Sequence, residues 1–348
     1  MRSRIHFHGP ARYRTQSAAA LCQSIVDASV RRSLKGPRRP GWNWFMEVAT
    51  QVLKRQLTIA FNMRNINEAR RYLDSLIMSP QVPQVRISES AHEYFRGSWF
   101  ACKNLQSPLT LLYFHGGGYS FYPKAYAEFI ALIALAAKSK TFALDYRLSP
   151  ENRFPAQLED ALHAYRWLLE NGTHPENLVV AGDSAGGNLT LALLLGARDA
   201  KLPLPALAIV LSPATGFHND HECVAANEEY DWIDSRMLAQ WTDWFCDPAQ
   251  RQDPLVSPVL ADLRGLPPIY IQAGRDEILY DGIKAFADRA KHQGADVVLE
   301  AWDHMNHDFQ VFGFDVPQSA EALRRIGEVV DAQVRGKRHT EAAFVRNV

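Results

Sequence analysis

The stretch Leu178-Val179-Val180-Ala181-Gly182-Asp183-Ser184-Ala185-Gly186-Gly187 constrains this chain more than any other. Its apolar start, bounded by polar residues, reads as a buried strand. Gly182-Asp183-Ser184-Ala185-Gly186 follows as Gly-x-Ser-x-Gly, and residues 188–198, rich in Leu and Ala, carry a helical pattern. Strand, sharp turn and helix with a serine at the apex is the context of a nucleophile elbow. Such a serine sits in a strained backbone conformation, and a side chain at Gly182 or Gly186 would collide with the adjoining strand or helix. The new helix aims free N–H groups at the turn, so the N–H of Ala185 can face a developing oxyanion. A Gly-Ser turn can also be purely structural, and the rest of the chain has to decide.

Short apolar runs at 109–114, 141–144, 178–181, 207–211, 269–273 and 297–302 alternate with helical patterns at 126–138, 155–171, 188–198, 282–293 and 318–334. Continuous apolar strands alternating with helices predict an α/β fold: a mainly parallel central sheet covered on both faces. Two alternating segments at 85–89 and 93–100 predict an antiparallel edge ribbon ahead of it. Residues 44–60 and 66–78 repeat apolar positions at helical spacing, so the first 80 residues read as helical and basic. Almost sixty residues separate the strand ending at Leu211 from the one starting at Ile269, with Trp232, Ile233, Met237, Leu238, Trp241, Trp244 and Phe245 among them. A connection of that length is usually functional. It is expected to join the N-terminal helices as a cap over the sheet. The predicted organisation is an N-terminal arm and helical cap over 1–80, the first part of the core over 81–212, a cap insertion over 213–262, and the second part of the core with a C-terminal tail over 263–348.

Composition narrows the function classes. The 348 residues are 47% hydrophobic and carry zero formal net charge, which predicts no nucleic-acid partner. Four scattered cysteines, Cys22, Cys102, Cys223 and Cys246, form no C-x-x-C pair and fit a reducing compartment. No apolar run approaches a membrane span. Residues 1–40 hold eight Arg and one Lys against the single acid Asp27. The apolar patch there, residues 18–22, is too short for a secretory signal, so these residues are expected to be a mature, basic, partly mobile arm of a cytoplasmic enzyme.

Directly after the first parallel strand stands His115-Gly116-Gly117-Gly118-Tyr119, whose successive glycines expose N–H groups that can bind an oxyanion. A hydroxyl nucleophile also needs a base and an orienting acid. Late histidines occur at His304 and His307, and Asp276 and Glu277 end the preceding strand. Serine, then acid, then histidine is the chain order of the α/β-hydrolase triad. His218 with His221, and His304 with His307, could suggest a metal, but neither pair has further ligands suitably arranged, and no metal is expected.

Taken together, His115-Gly116-Gly117-Gly118, Tyr146-Arg147-Leu148-Ser149-Pro150-Glu151, Gly182 to Gly187, Asp253-Pro254, Ser257-Pro258, Leu266-Pro267-Pro268, Gly274 to Asp281 and Met305 to Phe309 resemble the hormone-sensitive-lipase family of α/β-hydrolase esterases, which also contains arylacetamide deacetylase. The resemblance covers about residues 105–335. It implies a carboxylic-ester hydrolase with an N-terminal helical cap, no cofactor and a preference for short- to medium-chain monoesters. It places the base on His307. Where the family usually has Asp-x-Leu-x-Asp, this chain reads Glu277-Ile278-Leu279-Tyr280-Asp281, and the family's spacing to the histidine also selects Glu277, with Asp276 as the alternative acid. The expected site is therefore Ser184, Glu277 and His307, with oxyanion donors from Gly116, Gly117, Gly118 and Ala185. Cap aromatics including Trp42, Trp44, Trp232 and Trp241 are expected to wall the substrate pocket, unless they merely pack the cap. An amide, carbamate or lactone hydrolase with the same triad is the alternative activity, and a non-catalytic small-molecule receptor on this fold the more distant one. A homodimer through an edge strand, as in some relatives, stays open.

Overall fold

The computed structural model describes residues 3–80, 82–103, 108–217 and 222–334. Its centre is a sheet of eight strands: β3 (Val85–Ala91), β4 (Arg96–Cys102), β5 (Thr110–Phe114), β6 (Lys140–Asp145), β7 (Leu178–Asp183), β8 (Leu207–Leu211), β9 (Ile269–Gly274) and β10 (Val297–Trp302). They lie in the order β10-β9-β8-β7-β5-β6-β4-β3. From β10 to β6 every pairing is parallel, while β4 runs antiparallel to both β6 and β3. The predicted edge ribbon is thus β3 and β4. Every residue of β7, β8 and β9 is buried, because helices cover both faces. On one face, α5 (Ala156–Glu170), α6 (Ser184–Asp199) and α9 (Tyr280–His292) bury Leu158, Leu193 and Phe286 against the sheet. On the other, α4 (Tyr126–Ala137) and α10 (Pro317–Val334) contribute Ile130, Ile133 and Ile326.

The N-terminal region differs from its sequence reading. Much of the expected mobile arm is a 25-residue helix, α1 (Ala11–Lys35). Small residues such as Ala20, Ser24 and Ala28 give it a narrow buried seam that contacts α2 (Trp44–Phe61), which Asn43 caps by accepting the N–H of Met46 at 2.8 Å. The second expected helix stops early, as α3 (Ile66–Leu73). The chain then enters β2 (Leu76–Pro80), which pairs antiparallel with β1 (Ser3–Phe7) in a separate two-stranded sheet. Between β8 and β9 lie α7 (Glu222–Asn227) and α8 (Ser235–Phe245). Tyr13, Leu57 and Tyr72 from the N-terminal helices share one apolar cluster with Ile233, Met237 and Trp241 from the insertion. Arg70 of α3 ties this layer to the core, donating to the carbonyls of Ser120 and Ser149 and to both carboxylate oxygens of Glu151. Arg147 turns instead to Asp160 and Glu159, so the loop after β6 is scaffolding.

Candidate active site

Ser184 opens α6 at φ 51, a left-handed backbone that few side chains tolerate. The turn closes so tightly that a Cβ at Gly186 would lie 2.0 Å from the carbonyl oxygen of Phe114. Glycine is therefore required where the elbow crosses the neighbouring strand. This geometry lifts the serine hydroxyl to the C-terminal edge of the sheet, where it meets Nε2 of His307 at 2.9 Å.

The structure does not complete the triad. Glu277 is fully buried and its Oε2 accepts from the Ser212 hydroxyl at 2.6 Å and the Gly274 N–H at 3.0 Å. Its Oε1 and the Nδ1 of His307 are both buried without a hydrogen-bond partner, and the two residues form no ion pair with each other. Asp276, the alternative acid, is committed elsewhere: Nε of Arg39 lies 2.7 Å from its carboxylate and Nδ1 of His304 lies 3.6 Å from it. His304, 40% exposed at its side chain, stays at this rim.

Four buried carboxylates ring the site. Burial pushes Asp183 up to about 6 and Asp231 up to about 7, and drives Glu277 and Asp308 well above the ordinary carboxylate range. Burial also pushes His307 down to about 3, so the imidazole is held neutral, as a general base requires. Asp183 anchors the glycine loop, accepting from Tyr113, Tyr126 and the N–H of Gly116 at 2.6, 3.0 and 3.1 Å. That bond corrects one expectation: the N–H of Gly116 is occupied and is not an oxyanion donor. Among the described residues, the N–H groups of Gly117 and Gly118 have no partner, and Ala185 lies in the unbonded first turn of α6.

Asp231, Ser212 and Asp308 are the residues that sequence reasoning missed. Asp231, from the insertion, accepts the N–H groups of Trp232, Ile278 and His307 at 2.7, 2.9 and 3.3 Å, so one side chain pins both the acid loop and the histidine loop. Ser212 accepts the N–H of Asp308 at 3.1 Å while donating to Glu277. Asp308, in left-handed backbone at φ 48, brings Oδ2 within 3.2 Å of Nε2 of His307. An Asp inside a helical insertion and a Ser after a strand carry no local signal of these contacts.

A cavity of about 170 Å³ reaches Ser184 and His307 and is lined by Phe45, Trp232 and Trp241, among others. Two expected pocket residues do not reach it. Trp42 is 2% exposed, packs with Trp302 and Met305, and donates its indole N–H to the carbonyl of His304. Trp44 is 44% exposed and bonds Ser29 on α1. Trp244, also in the insertion, stacks on Phe61. His218 and His221 lie outside the described residues. Among the described residues no cluster of three or more His, Cys, Asp or Glu side chains is placed to hold a metal ion, and no helix is long and apolar enough to cross a membrane.

A family model described as the alpha/beta hydrolase fold matches residues 111–311. An acetyl-hydrolase of Streptomyces hygroscopicus is 38% identical over 231 residues, covering 64% of this chain and 75% of that protein. An esterase of Acinetobacter venetianus is 31% identical over 268 residues, covering 75% of this chain and 88% of its own. The crystal structure of an esterase from the bacterial hormone-sensitive lipase family superposes with a TM-score of 0.72 at 29% identity, over 94% of this chain and 100% of that one. Sheet order, elbow and these matches agree: the chain belongs to the α/β-hydrolase-fold family, among the hormone-sensitive-lipase esterases.

Proposed function

We infer that the protein is a serine carboxylesterase acting on small, short- to medium-chain monoesters through an acyl-enzyme on Ser184. The observation that carries this reading is the 2.9 Å contact between the Ser184 hydroxyl and Nε2 of a buried, neutral His307. His307 takes the serine proton as the hydroxyl attacks the ester carbonyl. The N–H groups of Gly117, Gly118 and Ala185 receive the developing oxyanion, and His307 returns the proton to the departing alcohol. Water then attacks the acyl-enzyme by the same route, releasing acid and restoring Ser184. Glu277 is the orienting acid. Its Oε1 and the Nδ1 of His307 are both buried and unpartnered, the complementary acceptor and donor that this role requires. Relatives named esterase and acetyl-hydrolase support the reaction class, and the four free thiols support a reducing, cytoplasmic setting.

Hydrolysis of p-nitrophenyl acetate and covalent labelling by a fluorophosphonate, each in the wild type and in Ser184→Ala, test the assignment. The wild type should turn over and take the label at Ser184, and the variant should do neither while melting normally. Retained turnover in the variant would refute it.

A further inference from the structure

We propose that the preferred substrates pair a short acyl group with a bulky apolar alcohol, the acyl group seated beside Ala185 and the alcohol beside His307. This rests on the reading of Ser184 and His307 given above. Two cavities meet at Ser184 and Gly118, and they are very unequal. The larger, of about 170 Å³, is walled by His307, Trp232, Phe45, Leu53 and Val311. The smaller, of about 40 Å³, is walled by Ala185, Ala214, Phe217, Leu238 and Leu279 and does not include His307. Trp241 and Ile233 line both and divide them.

Reaction chemistry decides which half of the ester each receives. The proton that His307 takes from Ser184 must pass to the alcohol oxygen as the carbon–oxygen bond to the alcohol breaks. The leaving oxygen therefore lies on the imidazole side, and the alcohol extends into the cavity that His307 lines. With the carbonyl oxygen held by the glycine loop and by Ala185, the remaining substituent on the carbonyl carbon points to the opposite side, into the smaller cavity. Ester and water enter, and alcohol and carboxylic acid leave.

Volume sets the size of each group. A cavity near 150 Å³ accommodates a benzene ring. The small cavity, of about 40 Å³, is roughly a quarter of that and suits an acetyl or propionyl group rather than a ring. Its wall is braced: the Phe217 ring packs on Phe245 with centroids 5.3 Å apart, and even a Cβ at Gly216 would meet Val259 at 3.0 Å. The large cavity takes a ring or a branched hydrocarbon.

The test is a pair of isomeric esters that exchange the two halves, cyclohexylmethyl acetate and methyl cyclohexylacetate, assayed on the wild-type protein by pH-stat. The acetate should have the higher kcat/KM by at least about tenfold, the scale of a misfitted methylene or two in an apolar pocket. Equal rates, or preference for the methyl ester, would overturn the assignment. Phe217→Ala should raise kcat/KM for p-nitrophenyl hexanoate relative to the acetate by about tenfold. An unchanged chain-length profile in a folded variant would also overturn it, and if that variant does not fold, the isomeric pair still decides. A wild type that neither hydrolyses p-nitrophenyl acetate nor takes the fluorophosphonate label would instead bring down the esterase reading. Labelled, active enzyme that favours the reversed ester brings down only the pocket assignment.

Discussion

The hydroxyl of Ser212 donates to Oε2 of Glu277 at 2.6 Å and accepts the N–H of Asp308 at 3.1 Å. One buried side chain at the end of β8 thus holds the acid and the backbone beside the base in register. Ser212→Ala leaves the Asp308 N–H unpaired and Glu277 held there by Gly274 alone. Losing a buried hydrogen bond of this kind costs about 1–3 kcal/mol. If that loss falls on the geometry of the transition state, kcat drops by about ten- to a hundredfold, with KM for p-nitrophenyl acetate nearly constant. Steady-state kinetics beside a thermal melt check this, and wild-type kcat in the variant would contradict it.

Glu277 and Asp276 are adjacent in sequence but differ in setting, and their neutral variants should differ accordingly. Burial raises Glu277 in the resting site, and the imidazolium that forms in the transition state is the charge that favours its ionised form. Glu277→Gln removes that partner and lowers kcat by about 10³–10⁴. Asp276→Asn breaks the rim contact with Arg39 and should leave kcat within about tenfold, since a partly exposed ion pair contributes about 0–1 kcal/mol. The pH profile separates orientation from charge. Burial alone pushes His307 down to about 3, and an ionised Glu277 raises it. Glu277→Gln should therefore move the acid limb of kcat/KM to lower pH while lowering the plateau. An acid limb moving upward would exclude Glu277 as the orienting charge.

Asp231 makes a prediction for stability. Burial pushes it up to about 7, although three backbone N–H groups and the charge of Lys54 oppose the shift. A carboxyl whose folded value is raised binds a proton that the unfolded chain has already released. Its stabilising contribution is complete below about pH 4 and is lost as the pH climbs through 7. Asp231→Asn removes this titration. The unfolding free energy of the wild type, minus that of the variant, should fall by on the order of 4 kcal/mol between pH 4 and pH 8. Denaturant titrations across that range measure the slope, and a flat or rising difference would show that Asp231 stays ionised in the fold.

Local pattern made much of this molecule legible. The apolar run 178–181 and the glycines around Ser184 announce a buried strand and a tight elbow because each is enforced within ten residues. The triglycine after β5 is legible for the same reason. What stayed hidden depends on distant partners. The pairing of Ser3–Phe7 with Leu76–Pro80 joins segments some seventy residues apart, and short strands do not name their mates. Helix α1 looked like a basic arm because its buried seam is made of Ala and Ser rather than large apolar residues. Trp42 and Trp44 satisfy the composition of a pocket wall, yet one is buried in a side cluster and the other faces outward, which only tertiary packing decides. The loss of Gly116 as a donor follows from Asp183, whose position in the elbow motif does not reveal its reach to the other loop.

Gly118 couples the glycine loop to the cap. Its backbone has φ +59, and a Cβ there would lie 2.4 Å from the indole of Trp241, which is itself wedged edge-on against Phe61 at 5.1 Å. Gly118→Ala must displace either the indole or the loop. The left-handed backbone alone costs an alanine about 1–2 kcal/mol, and moving one N–H of an oxyanion site typically costs about 10²–10³ in turnover. We expect kcat to fall into that range and the melting temperature to drop. Gly118→Ala combined with Trp241→Leu separates the two causes. If the clash with the indole dominates, the smaller side chain lets the loop return, and the double variant regains part of the lost kcat for p-nitrophenyl acetate. Strain at residue 118 alone would leave the double variant as slow as the single one, and the loop would then owe its shape to its own backbone rather than to the cap.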